Sequence, residues 1–275
     1  MNKRDSSSFF YRVFNRTLTL MELASLRKGG VAEVVEECNA APNALVPDMA
    51  RRKQDLLLDE KWKLLMKRAR WFRVIPFLEF VIASGSMAIG NVHKGSDFDV
   101  LIGVRKGRIF TVRYLLNFVF SILGARRLDD NEGTSPNKLC FNHFVTEPTF
   151  AKEPFNFYRA ELYRMMVPIY GSREALTRFF RANSWSGADP ERNMEDLRFR
   201  EKKPNAVRGA FEALLGGGTG NYIEQKIFMP IAMRRLKTYI KTKEKGGRVV
   251  ISEEELEFHF ELPYEKEFAD LTFHE

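Results

Sequence analysis

The chain has 275 residues, with 44 Lys and Arg against 36 Asp and Glu for a net charge of +8. That length is enough to bury a sizeable core and suggests about two domains. Two cysteines, Cys38 and Cys140, exclude a disulfide framework and point to a reducing cytoplasm, while Met1-Asn2-Lys3-Arg4-Asp5 followed by Ser6-Ser7-Ser8 lacks the apolar region of an export signal. The positive balance is amino-terminal, because residues 1–75 hold 15 Lys and Arg against 9 Asp and Glu.

In chain order, Leu18 to Leu26 begins like a capped helix, with Thr19 as cap and Glu22 three residues on. Gly29-Gly30 ends it, Val31 to Cys38 starts another, and Ala40-Ala41-Pro42-Asn43 breaks that one. The run Arg51-Arg52-Lys53, Lys61, Lys63, Lys67, Arg68, Arg70 and Arg73 has the charge to follow a phosphate backbone. Trp62, Leu64, Leu65, Met66, Trp71 and Phe72 interleave with it, so the expectation is an amphipathic helix packed on a sheet, with nucleic acid as the alternative partner.

Val81-Ile82-Ala83 running into Ser84-Gly85-Ser86 predicts a buried strand entering a tight turn, where glycine lets the backbone approach a ligand and the following amides face an anion. Next comes Ser96-Asp97-Phe98-Asp99-Val100-Leu101-Ile102-Gly103-Val104. Strand side chains alternate, so Asp97 and Asp99 share one side while Phe98 and Val100 enter the core. Two like charges on one face repel, and Mg²⁺ with a polyphosphate completing its shell would relieve that repulsion. Ile109 to Leu123 is apolar on nearly every side, yet it is shorter than the ~20 residues that cross a bilayer and carries Arg113 and Asn117. A buried helix covered by another domain is expected, and no membrane partner. Arg105, Lys106 and Arg108 in the turn before it are either solvated or placed to steer a triphosphate.

Beyond residue 150 the pattern turns helical: Phe155 to Met166, Arg173 to Asn183 capped by Ser172, Asn205 to Leu215, and Asn221 to Lys243. Pro168-Ile169-Tyr170-Gly171 reads as a helix break, and Trp185 to Pro204 as a long surface loop or crossing. Gly216-Gly217-Gly218-Thr219-Gly220 has no strand before it and no Lys after it, so a hinge is expected and not a P-loop. The acidic end from Glu253 to Glu267, with His259, reads as a solvated terminal segment that holds a metal only if folded back on the site.

The Gly-Ser turn, spacer and Asp-x-Asp resemble the DNA polymerase β superfamily of nucleotidyltransferases. Gly107-Arg108-Ile109-Phe110, Leu139-Cys140-Phe141-Asn142-His143-Phe144-Val145 and Glu257-Phe258-His259 are similar to a group of bacterial proteins within it, in which the region around Leu18 to Cys38 looks like a helix-turn-helix remnant. The resemblance implies an α/β (α+β) nucleotidyltransferase palm with a small mixed sheet at residues 61–150, between a basic helical segment at 1–60 and a helical domain at 151–275. It also implies Mg²⁺ on Asp97 and Asp99, a nucleoside triphosphate held by Gly85 and Ser86 with Ser96 beside the pair, and transfer of a nucleoside monophosphate to a hydroxyl of unknown identity.

One departure from that pattern matters. Superfamily enzymes carry a third carboxylate on a later strand, which here is Lys138 to Thr146 and has none. Alternation puts Cys140, Asn142 and Phe144 on one face and Leu139, Phe141, His143 and Val145 on the other, so Asn142 is the expected occupant of the third catalytic position, followed by Cys140. Asn ligates through its carbonyl and cannot act as a base. A catalytically weak nucleotide sensor or nucleic-acid-binding regulator is therefore the competing expectation.

Overall fold

A computed structural model describes residues 49–127, 135–152, 157–240 and 248–259. The expected elements at Leu18 to Leu26 and Val31 to Cys38, with Cys38 itself, lie outside these residues.

The basic amphipathic run forms α1 (Met49–Ala69), continued by a 3₁₀ turn at Arg70–Val74. Trp62, Leu65, Ala69 and Phe72 are its buried stripe. Its cations do not make one solvated stripe. Lys61 is buried, Arg51 is buried beside Asp55, and Arg68 lies 5.7 Å from the Phe98 ring centroid. Lys63, Lys67, Arg70 and Arg73 remain exposed.

The alternating apolar runs form β1 (Leu78–Ala83), β2 (Phe98–Val104) and β3 (Leu139–Val145), with α2 (Gly85–Ile89) and α3 (Ile109–Ile122) between them. Then come α4 (Phe157–Met165), β4 (Val167–Gly171), α5 (Arg173–Ala182), α6 (Pro190–Met194), β5 (Arg200–Glu201), α7 (Ala206–Leu214), α8 (Gly217–Ile223), a π turn at Glu224–Phe228, α9 (Met229–Ile240), β6 (Arg248–Ile251) and β7 (Glu255–His259). All seven strands join one mixed sheet in the order β5-β4-β1-β2-β3-β7-β6. β2 and β3 are parallel, as are β4 and β5, and the other neighbours are antiparallel.

Each face of the sheet has its own core. Val81, Phe98, Val100, Ile102, Phe141, Phe144, Leu256 and Phe258 pack on one side with α1 and α3. Phe80, Ile82, Leu101 and Val145 pack on the other with Tyr163 of α4 and Leu176 and Phe179 of α5. A fully buried Phe or Leu is worth about 1.5–3 kcal/mol, so these two layers fix the alternation of every central strand.

The mixed α/β class is as expected, but the sheet is larger than the small one expected and draws four strands from beyond residue 150. Val167-Pro168-Ile169-Tyr170-Gly171 is a strand and not merely a break. Pro168 is tolerated there because β5 pairs only with Tyr170 and Gly171. The glycine run opens α8 instead of forming a hinge, and Gly220 lies so close to the Leu215 carbonyl that a β-carbon would fall 1.6 Å from its oxygen. Helix α3 is amphipathic and not enclosed: Val112, Leu116 and Phe120 are buried, whereas Phe118 and Ile122 are 54% and 70% exposed. Ser172 caps α5 as expected, and Asn205, expected as the first residue of its helix, caps α7.

Candidate active site on the polar end of the sheet

β1 ends at Ala83, and the chain turns through Ser84 and Gly85 into α2. The Ser84 N–H donates to the Asp99 carbonyl at 3.0 Å, tying the turn to β2. Gly85 has φ +57°, and a β-carbon there would lie 2.5 Å from Asp99 Oδ2. Both facts demand glycine: the backbone is left-handed and the turn sits directly on the carboxylate. Ser86 follows, half-buried, with no side-chain hydrogen bond among the described residues.

Asp97 and Asp99 flank the buried Phe98 and share the face that Leu101 continues. Arg127 Nη1 donates to Asp97 Oδ2 at 2.7 Å. The loop before β2 is pinned by Lys61 Nζ, which donates to the Ser96 carbonyl and to Asn137 Oδ1, each at 2.8 Å. Burial lowers the Lys61 pKa, while the nearby Asp97 charge opposes the shift. Ser96 is buried, and its Oγ accepts the His93 N–H at 2.9 Å, so its hydroxyl holds the loop turn.

Asp99 lies in register with Cys140 of β3, whose thiol hydrogen-bonds to it. One ligand atom from each of Asp97, Asp99 and Cys140 falls within 4.8 Å of the others. Burial and then the Asp97 charge push the Asp99 carboxyl up to about 7, against the smaller opposing influences of His259, Arg127 and the thiol. A carboxylate that resists ionisation because of burial and a like charge is the electrostatic signature of a place suited to a cation. The donor set fits a divalent ion: two hard oxygens, with a soft sulfur beside them.

The ladder between β2 and β3 shifts register between Asp99↔Cys140 and Leu101↔His143, leaving Asn142 as the extra residue. That bulge overturns the expected faces. His143 lies on the side of Asp99 and Cys140, and Asn142 is skipped by the pairing.

The acidic end folds back as β7 against β3, with His143 opposite Glu257. Leu256 and Phe258 enter the core, so Glu255, Glu257 and His259 face the polar side. Lys152 Nζ lies 2.7 Å from Glu255 Oε1, Arg159 Nη2 is 3.5 Å from Glu257 Oε1, and His259 Nδ1 is 3.0 Å from the same oxygen. Although burial opposes it, His143, His259 and Arg159 hold the Glu257 carboxyl well below the usual range. Burial likewise opposes the lowered Glu255 carboxyl, which His143 and Lys152 sustain. For His143 burial dominates and lowers the pKa. The signal for this strand was the polar-apolar alternation from Glu255 to His259; high charge made it read as solvated.

Arg105, Lys106 and Arg108 stand at the opposite end of β2, about 20 Å along the strand from Asp99 at ~3.3 Å per residue. Lys106 lies 3.0 Å from Glu254, and Arg108 Nη1 donates to Asn221 Oδ1 at 2.7 Å. A cavity of about 220 Å³ there is lined by Arg108, Phe110, Asn221 and Glu224. Glu224 accepts the Phe110 and Thr111 N–H groups at 2.7 and 2.9 Å, so a carboxylate already caps the start of α3. These cations stay remote from the aspartate pair. Glu147 is ion-paired with Arg178 at 3.2 Å, and Asp129 and Asp130 lie outside the described residues.

Compared with protein-family models, with curated proteins and with solved structures, the chain matches none. Fold and site together define a mixed α/β protein with a glycine turn seated on a strained carboxylate pair. No helix among the described residues is long and apolar enough to cross a membrane.

Proposed function

We propose that the chain is a divalent-cation-dependent nucleotidyltransferase of the cytoplasm, with Mg²⁺ as the cation. It would transfer a nucleoside monophosphate from a nucleoside triphosphate to a hydroxyl acceptor. The observation that carries this reading is the seating of Gly85 on the Asp99 carboxylate, which joins an anion-facing turn and a cation-attracting pair in one place. Asp97 and Asp99 would hold the cation, which neutralises the triphosphate and keeps attacking and leaving oxygens in line. Gly85 gives the triphosphate close approach to the backbone, and Ser86 offers it an unengaged hydroxyl. Arg127, missed in the sequence, occupies one oxygen of Asp97 and adds a positive charge at the rim. The buried thiol of Cys140 agrees with a reducing compartment.

A nucleotide sensor on the same scaffold is the second reading, and the observation favouring it is Cys140 in place of a third carboxylate opposite Asp99. Binding of labelled ATP, GTP, CTP and UTP, with and without Mg²⁺, followed by assay of pyrophosphate release, separates the two. The expected result is Mg²⁺-dependent binding that is lost in Asp97→Asn/Asp99→Asn and in Gly85→Ala, with pyrophosphate released by the parent. Binding without release supports the sensor, and equal binding by parent and double variant removes the aspartates from the site.

A further inference from the structure

The proposed transfer needs a group to take the acceptor's proton, and neither residue of β3 expected in the third position is a base. The neighbouring strand supplies one. His259 is 33% exposed on the Asp99 face, its ring centroid 5.9 Å from that of His143, which lies on the same side as Asp99 and Cys140. Its Nδ1 lies 3.0 Å from Glu257 Oε1, and Glu257 is buried and also paired with Arg159. An ionised carboxylate only accepts, so Nδ1 carries the hydrogen and the lone pair of the neutral ring is on Nε2. Among the described residues, Asp99 from β2, His143 from β3 and Glu257 from its own strand act on the ring, and Arg159 from α4 reaches the same Glu257 oxygen.

We propose that His259 is the proton acceptor of the reaction, with Glu257 as the positioning residue that fixes its tautomer and orientation. This rests on the nucleotidyl-transfer reading. In the step, the acceptor O–H proton passes to His259 Nε2 as the oxygen forms a bond to the α-phosphorus. The bond from that phosphorus to the bridging oxygen breaks, and pyrophosphate leaves with the electron pair. The imidazolium then returns its proton to solvent.

The test uses the full chain with Mg²⁺ and α-labelled ATP, GTP, CTP or UTP, with water and glycerol as acceptors. His259→Gln is expected to slow pyrophosphate release by about 10²-fold or more, the usual worth of a general base, while triphosphate affinity stays within about two-fold. Added imidazole should restore part of the rate to His259→Ala. Glu257→Gln should slow the parent but cost nothing further in the imidazole-rescued His259→Ala background, whereas a merely structural Glu257 would cost the same in both. Release at the parent rate by His259→Gln, loss of its triphosphate binding, or binding without release by the parent overturns the proposal and leaves the triphosphate site standing. Mg²⁺-dependent binding that survives in Asp97→Asn/Asp99→Asn brings down the nucleotidyl-transfer reading itself.

Discussion

Two acidic clusters share one face of the same sheet, and their electrostatics differ in kind. Glu255 and Glu257 meet Lys152 and Arg159, two carboxylates against two fixed cations, and both carboxyls are held below their usual range. Asp97 is ion-paired with Arg127 and lies near Lys61, yet burial and the Asp97 charge still push Asp99 up to about 7. The first cluster is balanced in charge by its own protein, and a metal there would have to displace buried cations. The second retains, at Asp99, a carboxyl that burial and a like charge keep from ionising freely. His143, Glu255 and Glu257 have donor spacing as good as that of Asp97, Asp99 and Cys140, so compensation, and not proximity, distinguishes structure from site.

The sharpest way to break that comparison is to unbalance the satisfied cluster. Lys152 is almost wholly buried against Glu255. Lys152→Met leaves the buried Glu255 carboxylate with His143 and no fixed cation, and the expected cost is about 3–5 kcal/mol in denaturant unfolding. Divalent cations should recover little of it. Recovery of most of that loss by Mg²⁺ or Mn²⁺ would turn the β7 cluster into a metal site and dissolve the distinction.

Asp99→Asn tests the other cluster and has a smaller effect of opposite sign. A carboxyl raised from 3.8 to about 7 in the folded chain contributes stability that is complete below the unfolded value and lost as pH rises through about 7. Without metal, the parent should therefore lose roughly 3–4 kcal/mol of this contribution between pH 4 and pH 8, since one pKa unit is worth about 1.36 kcal/mol. Asp99→Asn should lack that component and melt on the order of 5 °C higher at pH 8. A divalent cation should raise the parent's melting temperature more at pH 8 than at pH 5, because protons compete for the same oxygens. A parent with flat pH dependence across this window would show that Asp99 ionises freely.

How much of this was legible in the sequence depended on whether a residue's role is local. The Gly-Ser turn, the shared side of Asp97 and Asp99 and the Ser172 cap follow from chain-neighbour geometry and were readable. The bulge that turns His143 toward Asp99 was not, because strict alternation carries no sign of an inserted residue until the partner strand is known. The role of Arg127 depends on an ion pair across 30 residues, and the return of β7 to β3 on a pairing across more than 100. Lys61 shows the converse: among eight other cations it read as solvated, yet the cradle of Ser96 and Asn137 oxygens makes it a buried clasp.

The smallest expected effect asks where a third carboxylate would act. Cys140 lies in register with Asp99 and already donates to it, whereas Asn142 occupies the bulge and is skipped by the ladder. Cys140→Asp would place a new charge beside the pair. A charge pair near 4 Å is worth roughly 4 kcal/mol at an effective dielectric of 20, and after the cost of a third like charge a gain on the order of tenfold in Mg²⁺ affinity, about 1.4 kcal/mol, is expected by calorimetric titration. In the absence of metal the same variant should be less stable at pH 8, since a third carboxylate then adds to the repulsion between Asp97 and Asp99. Asn142→Asp should change neither quantity, because the ladder skips Asn142 at the bulge and gives it no place opposite Asp99. Tighter Mg²⁺ binding in Asn142→Asp and none in Cys140→Asp would mean that β3 follows plain alternation past Cys140, and the faces of His143 and Asn142 would exchange.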